Sequence, residues 1–289
     1  PVPLQMPIGT EKELSGVIDL VRMVKLRFNA GSQGATVTEE PVPAELADMA
    51  EARRQDAIAA VAEVDEELAD LYLAEAEIPV ETFKAAVRRA TLGMHLFPVF
   101  CGTALHNLGI QPLMDAVVDY LPSPLDVPPA RGEVPTKKGG TEERFCDPGG
   151  PFAALAFKTV ASRHAELIYL RVYSGTAKQG EQVRNTVRGK PERLGRIFRM
   201  HADQREQVDT IRAGDIVAGT GLSNTFPGDT LSSRDHPILL EPISFPDTVV
   251  SVAMEPMTTA DRDKLDEALA SIVREDPTFR SRGDPESNE

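Results

Sequence analysis

The chain has 289 residues, 41% of them hydrophobic and 26% charged, with a formal net charge of −14. That length has room for two or three domains with separate cores, and so acidic an average ordinarily argues against a nucleic-acid binder. Two cysteines, Cys101 and Cys146, and five scattered histidines give neither a disulfide framework nor zinc-ligand spacing. A reducing compartment is the default, and with no signal-like start and no long apolar run the chain reads as soluble, cytoplasmic and without a membrane partner.

In chain order, Val2, Leu4 and Met6 alternate, and Gly16 precedes the apolar run Val17-Ile18-Asp19-Leu20-Val21, which predicts short strands. Residues 29–43, with Gly31, Ser32, Gly34 and two prolines, read as a loop. From Ala44 to Ala74 the pattern is helical, with apolar positions at Leu46, Met49, Ile58, Val61, Leu68 and Leu71 and solvated acidic faces. Pro79 suits the start of a further helix with the stripe Phe83, Val87 and Ala90.

Phe97 to Cys101 is an apolar run of strand length, punctuated by Gly102. After the loop Thr103–Gly109, the apolar positions Ile110, Leu113, Met114, Val117, Val118 and Leu121 predict a helix with one buried face, stopped by Pro122 and Pro124. A loop beyond the carboxyl end of a strand is where open α/β sheets bind ligands. Gly102, Thr103, Ala104 and Leu105 are therefore a candidate ligand loop, although an ordinary strand-to-helix connection explains the same pattern.

Residues 122–150, rich in proline and carrying Lys137-Lys138-Gly139-Gly140 and Asp147-Pro148-Gly149-Gly150, have linker chemistry. The Asp-x-x-Gly match at Asp147–Gly150 reads as a turn before a strand. From Phe152 to about Ser232 short strands dominate. Ile168, Leu170 and Val172 alternate with Tyr169, Arg171 and Tyr173, and further strands are expected near Glu181–Val187, Arg193–Met200, Gln207–Ile211, Ile216–Gly219 and Asp229–Leu231. This predicts a closed barrel or sandwich. A strand over Val249–Met254, a helix opened by a capping box at Thr258–Asp261, and a strand from Thr278 to Arg282 form half of a ferredoxin-like unit.

Several of these phrases resemble elongation factor G of the translational GTPases. PVPLQMPIG and GVIDLV are similar to the start of the insertion that family carries within its G domain. GTAL with the following helix and DYLPSPLDVPP resembles the last nucleotide-binding motif and the exit from the G domain. RVYSG, GKPERLGRIFRMHADQRE and AGDIVA resemble the second-domain barrel, and EPMTTAD with EDPTF the start of the third domain. The resemblance implies a multidomain α/β and β fold: residues 1–121 as the end of a P-loop-type G domain with its helical insertion, 122–150 as linker, 151–240 as the barrel, and 241–289 as a partial ferredoxin-like α/β sandwich. It implies that Gly102, Thr103, Ala104 and Leu105 contact guanine, with Thr103 keeping the hydroxyl of the family's usual serine. It implies ribosomal partners: small-subunit RNA against the barrel and stalk proteins against the insertion. The loop Ser162–Glu166 lacks the usual aspartate-proline pair, which leaves open the housekeeping factor or a ribosome-protection or recycling paralogue. Pro1 at the start and RSRGDPESNE at the end read as a piece of something longer.

The chemistry is sparser than the resemblance. No G-x-x-x-x-G-K-[ST] and no Asn-Lys-x-Asp motif occurs, so GTP or GDP with magnesium is expected of a full-length parent and no cofactor of this piece. No catalytic residue and no metal ligand is assigned. Cys101 reads as core and His201 as surface. Between Arg184 and Arg205, seven cationic side chains stand against Glu192 and Asp203, a local charge of +5. Lys190, Arg193, Arg196 and Arg199 are therefore candidate RNA contacts, the competing reading being charged strand edges that block pairing. Their mixed parity prevents one shared face unless Gly195 marks a bulge. A function outside the enzyme class, as a non-catalytic ribosome- or RNA-binding module, stays open at this point.

Overall fold

A computed structural model describes residues 1–10, 13–29, 36–135, 139–160, 166–256 and 258–283. Gly31, Ser32, Gly34, Lys137, Lys138 and the departure at Ser162–Ala165 lie outside the described residues. The chain divides into two units, Pro1–Asp126 and Val127–Glu289.

In the first unit the strands are β1 (Val2–Pro3), β2 (Gln5–Ile8), β3 (Gly16–Asp19), β4 (Val24–Phe28) and β5 (Val37–Pro41); α1 (Ala44–Ala62), α2 (Glu66–Leu73) and α3 (Val80–Leu92) follow, then β6 (Pro98–Val99) and α4 (Ile110–Tyr120). β2, β3, β4 and β5 form an antiparallel sheet, while β1 pairs with β6 in parallel through Val2–Pro98 and Pro3–Val99. One core joins Val2, Leu4 and Leu96 to Ile58, Val61, Leu68, Phe83 and Val87.

The 29–43 stretch read as a loop contains β5. Its glutamates find distant partners, Glu40 with Lys25 across the β4–β5 pair at 2.9 Å and Glu39 with Arg22 in the β3–β4 turn at 2.5 Å, so tertiary pairing supplies what local propensity lacks. The single helical stretch Ala44–Ala74 is two helices. Asp65 caps the second, accepting the Leu68 N–H at 3.0 Å, and its carboxylate also takes Nε and Nη2 of Arg89 at 2.7 and 2.9 Å. The Arg89 guanidinium holds this carboxyl below its ordinary range.

The helix α4 forms where its periodicity predicts, but the stripe does not face a core. Ala116 and Tyr120 are its buried residues, whereas Met114 is 65% and Val118 77% exposed, with Leu113, Val117 and Leu121 also exposed. Phe97 and Val99 are exposed as well, so the strand expected over Phe97–Cys101 is two residues long with an open face. Parallel strands are normally covered on both sides; among the described residues β1 and β6 stand as a sheet of two.

The second unit contains β7 (Ala130–Glu133), β8 (Thr141–Arg144), β9 (Ala153–Val160), β10 (Leu167–Ser174), β11 (Thr176–Lys178), β12 (Gln182–Asn185), β13 (Lys190–Arg193), β14 (Ile197–His201), β15 (Gln204–Val208), β16 (Thr210–Arg212), β17 (Ile216–Gly219), β18 (Thr230–Ser232), β19 (Leu239–Leu240) and α5 (Thr259–Glu275). Eight strands run in the order β13-β12-β18-β9-β10-β17-β14-β15 with antiparallel pairings, and β11 pairs with β16. Alternation in β10 holds as predicted: Ile168, Leu170 and Val172 are buried with Leu194, Ile197, Ile211, Val217 and Leu231.

Part of the 122–150 stretch read as linker is structured, because β7 and β8 form a hairpin that β19 joins at Leu240–Gly132. The Asp147–Gly150 turn is an Asx-turn, with Gly149 N–H donating to Asp147 Oδ1 at 2.8 Å. The strands expected at Val249–Met254 and Thr278–Arg282 do not form. Val249, Val250 and Val252 are 78–94% exposed with no ladder partner among the described residues, and Asp276 instead turns the chain by accepting Thr278 N–H at 2.8 Å. At the start of α5, Thr258 donates its hydroxyl to Asp261 Oδ2 at 2.6 Å in place of a bond to the helix backbone.

Asp65→Ala should lower the stability of the first unit by about 1–2 kcal/mol, a lost cap plus part of an ion pair whose arginine is half exposed. Because this carboxyl is depressed by folding, its contribution is present above the ordinary aspartate value of about 4 and fades as pH falls through the folded value. Urea melts of wild type and Asp65→Asn at neutral and acidic pH should therefore converge at the acid end. In hydrogen exchange, amides of residues 249–254 should exchange far faster than those of β9 and β10.

Candidate functional site

Beyond β6 the chain folds back on itself. Thr103 N–H donates to Leu108 O at 2.9 Å and Leu108 N–H returns to Thr103 O at 3.1 Å. Inside that ring, Ala104–His106 form one 3-10 turn, closed by His106 N–H on Thr103 O and Asn107 N–H on Ala104 O, both at 3.1 Å. Two glycines make this closure possible. A Cβ on Gly102 would lie 2.6 Å from Leu108 O, and on Gly109, at φ +81°, 2.8 Å from Cys101 O.

The turn brings Gly102, Thr103, Ala104 and Leu105 together. The first amides of a helical turn have no intrahelical acceptor, so the N–H groups of Ala104 and Leu105 are donors at an open surface, where Leu105 is 88% exposed. The Thr103 hydroxyl makes no capping bond. Two adjacent donors, a hydroxyl and an apolar side chain suit the polar edge and face of a planar heterocycle. Gly102 shapes the loop by close approach. Cys101, half-buried beside it, has its thiol pushed up by burial, which keeps it neutral and a poor nucleophile.

The basic candidates lie in the second unit, on two hairpins. Arg193 on β13 is exposed, and its Nε donates to Gly180 O at 3.0 Å. Lys190 donates Nζ to Asn224 Oδ1 at 3.1 Å. Arg196 and Arg199 are exposed on either side of buried Ile197 and half-buried Phe198; Arg199 faces Glu206 across the β14–β15 pair at 3.8 Å. Gly195 does not bulge a single strand. It ends one hairpin and begins the next, with its N–H on Thr220 O at 2.8 Å, and that break accounts for the mixed parity.

The structure separates members of the strip that the sequence leaves equal. Arg188 is committed to the fold: its Nε binds the buried carboxylate of Asp229 at 2.7 Å and its guanidinium covers the Phe226 ring at 4.1 Å. Arg184, left out of the candidates, is exposed on the face of β12 that also carries Gln182, and Gln182 pairs with Arg193. Arg184 and Arg193 are thus diagonal neighbours across the hairpin. The buried alternation of Val183 and Asn185 is the signal that could have found it. His201 is exposed at the end of β14. Among the described residues no group of three or more His, Cys, Asp and Glu is placed to hold a metal ion, and no helix is long and apolar enough to cross a membrane.

Residues 166–232 match the family model for elongation factor Tu domain 2, and residues 245–289 the model for elongation factor G domain III. Along its whole length the chain is 47% identical to elongation factor G of Thermotoga maritima, covering 42% of that protein, and 47% identical to that of Thermotoga petrophila, covering 41%. A crystal structure from Thermus thermophilus superposes with a TM-score of 0.78 over 99% of this chain and 40% of that one, at 25% identity. The chain spans about two fifths of the length of the curated relatives it matches.

The fold class is the expected one, a mixed α/β chain of mostly antiparallel sheets with a translation-factor barrel and the sequence of an elongation factor G third domain. These features are those of a translation-factor segment. Specifically, the chain is similar to elongation factor G along all 289 residues.

Gly109→Ala should test the loop. An alanine at that positive φ, pressed on Cys101 O, should cost about 1–3 kcal/mol, read as a lower thermal midpoint for the first unit with the barrel transition unmoved.

Proposed function

We propose that the chain is part of a ribosomal translocase GTPase, in which GTP hydrolysis is coupled to movement of transfer RNA and messenger RNA. The observation that carries this reading is the 47% identity to elongation factor G sustained over the whole chain. Residues 1–121 are then the end of a G domain with its insertion, 151–240 the barrel and 241–289 the first half of the third domain. The open faces of α4 and of the β1–β6 pair support this assignment, since both have the character of the margin of a larger parallel sheet.

In this reading Gly102, Thr103, Ala104 and Leu105 hold the guanine of GTP or GDP, and the fit is chemical: the Ala104 and Leu105 amides are donors for a carbonyl oxygen, and Thr103 adds a hydroxyl. Bound GTP with magnesium supplies the phosphoryl chemistry, but the phosphate cradle and the metal ligands require residues this sequence does not contain. The barrel rests on small-subunit ribosomal RNA through Lys190, Arg193, Arg196 and Arg199, and the insertion faces the stalk proteins. The compartment is the cytoplasm, where ribosomes are.

Isothermal calorimetry on the 289-residue chain should find no micromolar affinity for GTP, because guanine contacts alone do not replace phosphate positioning. Tight binding would overturn the division of the nucleotide site.

Single alanine replacements of Arg193, Arg196 and Arg199 should weaken binding to ribosomal small subunits without base preference and lower the log–log salt slope by about one unit each. If all three folded variants keep the affinity and slope of the wild type, the strip is a charged strand edge and the RNA contact lies elsewhere.

A further inference from the structure

Gln5 stands where the chain changes sheets. Up to Leu4 the backbone runs parallel to β6, with Val2 N–H on Phe97 O at 2.9 Å and Leu4 N–H on Val99 O at 3.0 Å. From Gln5 onward it belongs to β2, pairing antiparallel with β3 through Gln5–Asp19. The neighbour of β6 has therefore left before the segment reaches the candidate guanine loop, and the Cys101 N–H has lost the backbone carbonyl a continued strand would offer. A buried donor without an acceptor is costly.

The side chain of Gln5 fills that position. It is 6% exposed, and its Oε1 accepts the Cys101 N–H at 3.2 Å, with Cys101 Sγ 3.9 Å from the same oxygen. A neutral amide does this without bringing a charge into the interior. The next residues are Gly102, which has no room for a Cβ beside Leu108 O, and Thr103, paired in both directions with Leu108. The placement of the Ala104 and Leu105 amides thus follows from a loop closed on Leu108 and hung from one hydrogen-bonded residue.

We infer that Gln5 is a positioning residue for the guanine loop, holding the end of β6 by its side-chain carbonyl and tying the first strand of the insertion sheet to the nucleotide base. This rests on the reading of Gly102–Leu105 as a guanine loop. It adds a residue almost a hundred positions away in sequence, and it gives the insertion sheet a physical connection to that loop.

The test uses amide NMR on the 289-residue chain, with GMP and AMP as probes at millimolar concentration. In wild type, the Ala104 and Leu105 amides should shift with GMP and not with AMP, and a through-hydrogen-bond scalar coupling should connect Cys101 N to Gln5 Cδ. In Gln5→Met, which keeps the volume and removes the acceptor, exchange at Cys101 and Thr103 should accelerate and the GMP dissociation constant rise, each about fivefold, the effect of one neutral hydrogen bond. Exchange in β3 and β4 should stay unchanged, which a general loss of stability would not allow. A GMP response in wild type that persists at equal affinity in Gln5→Met overturns the positioning role. A wild type with no GMP response overturns the guanine reading, and the positioning role with it. If Gln5→Met does not fold, absence of the wild-type scalar coupling overturns the inference by itself.

Discussion

The first unit depends on the parallel pairing of Val2–Pro3 with Pro98–Val99. What the described residues form between them, a four-stranded sheet with α1, α2 and α3, is an excursion whose two ends meet at that short ladder. Closing a loop of this length costs only slightly more than closing a short one, so the ladder needs modest support. The support is the core it seeds, where Val2, Leu4 and Leu96 touch the buried faces of α1, α2 and α3. Arg54 fastens the excursion from within: it donates to the carbonyls of Leu20, Val21 and Ile78 and lies over the Phe83 ring at 5.5 Å. Burial pulls its pKa below the ordinary arginine value, a cost that three carbonyl acceptors offset. The loop after Val99 is held at the same junction, through the Gln5 side chain on the Cys101 N–H.

In the second unit the comparable constraint is polar. Asp229 is 4% exposed and accepts from Asn185 Nδ2, Arg188 Nε and Phe226 N–H at 2.9, 2.7 and 3.0 Å. Glu192, also buried, accepts from Asn224 N–H and Thr225 Oγ1 at 2.6 and 3.1 Å. Together they fix the turn between Leu222 and Asp229 against β12 and β13, a satisfied network of the kind that specifies one arrangement. The turn presents Phe226 to a second guanidinium: Arg274 of α5 lies over the ring at 4.9 Å and pairs with Glu166. The helix is attached to the barrel by this contact and by packing against β9, whereas residues 249–254 are exposed. Third-domain sequence is thus present with one element docked and its expected strands unpaired.

The same logic separates the two basic hairpins from the arginine beside them. Arg188 resembles its neighbours in sequence but is held by a buried carboxylate, and an arginine so engaged has little left for a phosphate. Lys190, Arg193, Arg196 and Arg199 keep exposed heads that meet neutral groups or one distant carboxylate. Surface pairs of that kind are worth little, which leaves these cations able to exchange partners.

Periodicity and turn chemistry in the sequence alone determined the existence and type of most elements: α3 and α4, the alternation of β10, the Asp147 turn, and a loop at Gly102–Leu105 after a strand. These follow from local rules, since a 3.6- or 2-residue repeat is written in consecutive residues. Tertiary structure alone decided what those elements face. The apolar stripe of α4 is exposed although its spacing is that of a buried face, because burial needs a neighbour and spacing says nothing of one. The strand β5 exists through its ladder with β4 and the cations its glutamates reach, and the expected strand at Val249–Met254 is absent because a strand needs a ladder partner. Gln5 reads as one polar residue in an apolar alternation; only the fold brings its side chain to the amide of Cys101, ninety-six residues along the chain. Contacts between distant residues are a property of the closed chain, and for that physical reason the position of the candidate guanine loop was decided by the fold and its composition by the sequence.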